Sequence, residues 1–89
     1  MDKGKQINIF EYSDYRQYLS DYYNQKKLNN SSYSHRVFAN QAGLSSPSHL
    51  LMIIKGERNL SMKTIPKFSD GLKLTLKEKR FFNHKFIWF

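Results

Sequence analysis

The chain has 89 residues, no cysteine and a formal charge of +8, from 15 Lys and Arg against 7 Asp and Glu. That length points to one domain with a modest core. The missing thiols exclude disulfides, iron–sulfur clusters, thiol catalysis and thiolate zinc sites, and they suit a reducing compartment. No run approaches the roughly 18 apolar residues of a membrane span, and "MDKGKQINIF" has no signal-peptide core. The expectation is a cytoplasmic protein with no membrane partner, whose basic excess favours a polyanion.

Residues 1–6 read as a flexible tail and 7–89 as a single domain. "INIFEY" has apolar anchors without helical spacing, so it reads as an extended lead-in. Ser13 is the expected N-cap of a first helix. In it Tyr15, Leu19 and Tyr22, flanked by Tyr18 and Tyr23, make an aromatic face, opposite Asp14, Gln17, Asp21 and Asn24. The tyrosines suit a core; stacking on single-stranded bases is the other use of such a face. Lys26 and Lys27 favour the helix end, and "NNSS" breaks it.

Ser34 caps a second helix, His35 to Ala42, that Gly43 stops in a left-handed conformation. After "LSS", Pro47 fits the start of a third helix, with Ser45 or Ser46 as cap and an end near Lys55 and Gly56. Ser61 is the expected cap of a fourth helix. Pro66 falls inside that stretch and predicts an irregularity, and Gly71 closes it. Thr75 and Glu78 match a capping box that opens a fifth helix with Leu76, Phe81, Phe82, Phe86 and Ile87. No strand alternation is present. The fold class is therefore all-α, a five-helix orthogonal bundle.

The second and third helices, about 35–55, are joined by a short turn, the helix-turn-helix pattern. Ala39 is small where the third helix crosses, Gly43 turns without a Cβ, Leu44 plugs the turn, and Leu50, Ile53 and Ile54 hold the third helix down. "SHRVFANQAGLS" and "GERNLS" resemble the lambda-repressor-like, Cro/CI-type family of helix-turn-helix domains. "NIFEYSDYRQYLSDYY" is also similar to the start of a less characterised group of bacterial regulators that carry a longer C-terminal region. The first resemblance implies a DNA-binding domain of a transcriptional regulator, bound to double-stranded DNA and commonly dimeric. It also implies Arg36, Arg58 and Asn59 as phosphate clamps. Gly43 and Gly56 lie thirteen positions apart, one more than the family pattern, and the extra residue is placed near Ser46.

With Leu50, Ile53 and Ile54 inward, Ser48, His49, Met52 and Lys55 point outward. Ser48 and His49 are the expected readers of base edges, and Met52 suits a thymine methyl. Phosphate contacts fall to Ser34, His35, Arg36 and Ser46 at the helix N-termini, and to Lys55, Arg58, Asn59 and Lys63 around the following loop. The bland alternatives are an ordinary exposed His49, a merely polar "GERN" loop, and a solvated face for Lys77, Lys79, Arg80 and Lys85. His35, His49 and His84 are too scattered for a metal site. No carboxylate pair, nucleophile arrangement or phosphate loop supports an enzyme, and no cofactor is expected.

"FFNHKFIWF" has six aromatic or aliphatic residues in nine. Part of it finishes the core, and the rest suits a homodimer contact through an apolar C-terminal helix. The rival function is a protein-interaction or dimerisation module on the same scaffold, without sequence-specific readout. Nonspecific RNA or anionic-surface binding through the lysines is a third option.

Overall fold

Ile9–Glu11 form a single 3-10 turn, not an extended lead-in, because the Asn8 side chain accepts the Phe10 N–H and fixes the turn. The computed structural model that shows this describes the backbone of residues 7–86 and the side chains of residues 7–84. The expected tail at 1–6 and the last apolar residues, Ile87 to Phe89, lie outside the described residues. Those described form five α-helices, the 3-10 turn, and a π-helical turn at Phe82–Phe86, with no strand. The protein is all-α.

Helix α1 spans Tyr15–Asn29, and its cap is Asp14, one residue later than expected. The Asp14 carboxylate accepts the Arg16 N–H at 3.0 Å, and its charge suits the positive helix end better than the Ser13 hydroxyl does. The aromatic face turns inward. Tyr18 and Leu19 are buried, and Tyr15, Tyr22 and Tyr23 pack partly buried against the core. Rings then touch in series from Tyr12 through Tyr18, Tyr22, Phe38 and Phe68 to His49, with centroids 5.2–6.5 Å apart. The tyrosines are core residues. Tyr12 donates to Asp21 at 2.6 Å; burial, then that bond, pushes its hydroxyl up to about 12.

Helix α2 spans His35–Ala42 with both ends as expected. Ser34 accepts the Val37 N–H at 3.2 Å. Gly43 takes φ 76°, and the Leu44 N–H closes back onto the Ala39 carbonyl at 2.8 Å. A side chain at Gly43 would meet nothing, so the glycine is there for its φ.

Helix α3 spans His49–Ile54, shorter than its expected start at Pro47. Pro47 and Ser48 form a turn, with the His49 N–H on the Ser46 carbonyl at 3.2 Å. Ser48 occupies the cap position without a side-chain cap bond, so neither Ser45 nor Ser46 is the cap.

Helix α4 spans Ile65–Gly71, with Thr64 at its cap position. Ser61 caps nothing; its N–H and hydroxyl meet the Thr64 hydroxyl at 3.0 and 3.2 Å in a separate turn. That turn is the irregularity, and it delays the helix until Pro66 falls in the first turn, where a missing N–H costs nothing. Gly71 is the last residue of α4, as expected, yet it is not left-handed. It is buried and helical, and the left-handed position passes to Lys73, φ 57°. A Cβ on Gly71 would lie 2.7 Å from the Ala42 Cβ and 3.0 Å from the Phe38 ring. Its role is the close approach of α2 and α4.

Helix α5 spans Leu76–Phe81 and opens with the complete Thr75–Glu78 capping box. Phe82 is fully buried, whereas Leu76 is 70% exposed. Helix α2 packs on α4 and α3, and α3 packs on α1. The core gathers Leu19, Phe38, Leu50, Ile53 and Phe68 between them.

Candidate nucleic-acid interface

Helix α3 has one side in the core and one side out, and its phase differs from the expectation at one residue. His49 is not on the outer face. It is buried, only 6% exposed, with its ring edge-on to Phe68 at 5.5 Å and its Nε2 without a hydrogen-bond partner. Burial, then the nearby charges of Arg58 and Lys67, hold its pKa below the usual histidine range. An enclosed imidazole does not reach a base edge. Leu50 and Ile53 are buried beside it, and Ile54 packs partly buried on the core.

The outer face is therefore Ser48, Leu51, Met52 and Lys55, at i, i+3, i+4 and i+7. Leu51 and Met52 are partly exposed and do not join the core cluster that takes in Ile54. Ser48 and Lys55 are exposed. The Ser48 hydroxyl lies 3.2 Å from that of Ser46 and donates to the Met52 Sδ at 3.8 Å. Positions 49 and 51 lie almost equally far from the outward direction, and polarity alone favoured histidine. The edge-on packing of the His49 ring on Phe68 decides otherwise.

At the start of α2, Arg36 is exposed while the Ser34 hydroxyl is committed to its cap. His35 stacks on Tyr23 with centroids 4.0 Å apart and planes 10° from parallel. Its partial burial, then Lys27, lowers its pKa and so disfavours its charged form.

The loop after α3 is held from α1 by a residue that the sequence reading missed. The Arg16 guanidinium donates to the Ile53 carbonyl, to the Arg58 carbonyl at 3.0 Å and to the Asn59 Oδ1. An arginine in the first turn of a helix opposes the local dipole, so it needs acceptors elsewhere. The Ile53 carbonyl near the end of α3, with the Arg58 carbonyl and Asn59 Oδ1 of the loop, supplies them. That mismatch was the available sequence signal. The Met52 carbonyl, on the same side, accepts the Glu57 and Arg58 N–H groups at 2.8 and 3.3 Å.

Asn59, expected as a clamp, is exposed and accepts from Arg16 through its side-chain oxygen, a bond that fixes the amide and does not use its Nδ2 donors. Arg58 keeps an exposed side chain above a fixed carbonyl. Lys55 and Lys63 are exposed, as is Lys67 on α4, whose charge reaches His49 together with that of Arg58.

A groove of about 370 Å³ lies elsewhere, between α1 and the α4–α5 link, lined by Tyr22, Lys26, Leu72 and Lys73 among others. None of the residues expected to contact DNA lines it. Among the described residues, no helix is long and apolar enough to cross a membrane. No family model, curated protein or solved structure matches the chain.

Proposed function

We propose that this chain is a DNA-binding domain of a transcriptional regulator, with α2 and α3 acting as a lambda-repressor-like helix-turn-helix and α3 entering the major groove. The observation that carries the reading is the combination at α3: a solvent-facing side, a succeeding loop locked by Arg16, and exposed cations on the loop and the elements around it. A net charge of +8 supports a polyanionic partner. Arg36, Lys55, Arg58 and Lys63 take phosphates, and Lys67 joins them. Base readout is modest, because no Arg, Asn or Gln stands on the outer face to make a bidentate pair. Dimerisation through the apolar C-terminal segment places two such domains on half-sites about one helical turn apart. Sedimentation at increasing concentration tests it, and a strict monomer sinks it.

Fluorescence anisotropy with random duplex DNA, single-stranded DNA and RNA across a salt series tests the main reading. Duplex preference is expected, with affinity falling steeply as salt rises. Each phosphate contact contributes a log–log slope of about 0.9, so Arg58→Ala should lower the slope by about one for every duplex. Binding that is weak and indifferent to duplex structure rejects the reading. One observation favours a second reading: half of the α3 outer face is apolar. On that reading the face docks a partner protein.

A further inference from the structure

We infer that α3 selects DNA through thymine C5-methyl groups, contacted by Leu51 and Met52; this rests on the duplex-binding reading above. The argument begins with what the outer face lacks. Major-groove sequence is read either by hydrogen bonds to base edges or by apolar contact with the thymine methyl. The hydrogen-bonding route is poorly served here. Ser48 has its hydroxyl engaged by Ser46 and by the Met52 sulfur. Lys55 is a single flexible cation at the end of α3, better matched to phosphate than to a base pair. His49, which could have donated to guanine, is buried.

The apolar route is well served. Leu51 and Met52 sit side by side on the outer face, partly exposed and outside the core cluster. The Ser48 contact steadies the Met52 thioether at its Sδ. An apolar pair on a helix needs something to cover it, and the surroundings state the chemistry of the cover. Lys55 on the same face, and Arg58 and Lys63 after it, are exposed cations suited to a phosphate backbone. A purely apolar partner would leave these charges unanswered. A thymine-bearing major groove answers both, with methyls at its floor and phosphates at its rim. Leu51 was absent from the expected reading face, and it is the residue that turns one apolar contact into a pair.

The test compares a duplex rich in A·T pairs with its twin in which every thymine is replaced by deoxyuridine. The substitution removes the methyl and leaves every hydrogen-bonding group in place. Each contacted methyl should be worth about four-fold in affinity, the value of one buried methylene. The thymine duplex should therefore bind more tightly by that factor or its multiple. Leu51→Ala and Met52→Ala should each shrink the ratio, a comparison between two duplexes that a modest loss of stability in these partly buried positions leaves unaffected. Lys55→Ala should weaken both duplexes alike and keep the ratio. Tight binding of both duplexes with a ratio of one overturns the inference and leaves the DNA-binding reading standing. A ratio unchanged by both Leu51→Ala and Met52→Ala also overturns it, because the methyls are then read by other residues. Failure to bind either duplex at low salt overturns both.

Discussion

Helices α2 and α3 are neighbours in sequence and in space and both end at a left-handed glycine, yet they start and are aimed differently. Helix α2 carries its own boundaries: a serine cap that accepts the Val37 N–H, and a glycine at φ 76° after its last residue. Helix α3 has fewer residues and no side-chain cap bond at its start; Gly56 at φ 84° closes its end locally, and contacts from other helices fix its aim. Arg16 of α1 takes the Ile53 carbonyl, and Phe68 of α4 receives the ring of His49. A helix closed by local bonds is written into its own residues. A helix aimed by distant contacts is positioned by the fold, and so is whatever its outer face does.

The largest effect should come from the packing beneath α2. Gly71→Ala puts a Cβ 2.7 Å from that of Ala42, with the Phe38 ring at 3.0 Å. Helices α2 and α4 must separate, and overpacking of this kind costs about 1–3 kcal/mol. Urea denaturation should place the loss at the upper end of that range. An unchanged midpoint would mean that the two helices are not in such close contact.

The latch on α3 comes next. Arg16→Met removes bonds from a charged donor, each worth about 1.5–3 kcal/mol and not additive. A total loss of about 2 kcal/mol is expected, with faster amide exchange at Glu57 and Arg58. Equal acceleration across α2 would show that the latch is not local to α3.

A paired substitution addresses the caps directly. Ser34→Ala should cost about 1 kcal/mol, whereas Ser48→Ala should stay within about 0.5 kcal/mol of the parent because no cap bond is lost. Equal losses would erase the distinction drawn between the two helices.

The smallest effect is a pH dependence. His49 has a lowered pKa in the fold, against an ordinary value of 6.5 in the unfolded chain. The unfolded chain therefore binds more protons, and stability falls as pH drops below 6.5. His35 acts in the same direction. Thermal melts between neutral pH and about pH 5 should show a smaller acid-side loss in His49→Leu than in the parent. A parallel decline in both would place His49 in water.

Much of the fold was legible because its signals are local. The Ser34 cap, the Gly43 turn and the Thr75–Glu78 box each act within a few residues, and the tyrosine periodicity of α1 marks a buried face. Where two local signals competed, the reading slipped by a residue or more. Asp14 outranked Ser13, and the Ser61–Thr64 turn postponed α4 until Pro66 could sit in its first turn.

The candidate interface was legible only in part, for a different reason. The cations Arg36, Lys55, Arg58 and Lys63 are exposed where charge and spacing put them. The aim of α3 depended on choosing between His49 and Leu51, which helical periodicity leaves nearly tied. Polarity broke that tie toward histidine, since imidazole is ordinarily at home in water.

By itself, then, the sequence determined the all-α class, the caps of α2 and α5, the apolar stripe under α3 and the basic surplus, because each follows from residues near one another or from a sum over all of them. Only the tertiary structure decided the inward turn of His49 onto Phe68, the outward place of Leu51, the close approach at Gly71 and the Arg16 latch. These rest on contacts between segments far apart in the chain, where the space left by one helix sets what another must place there.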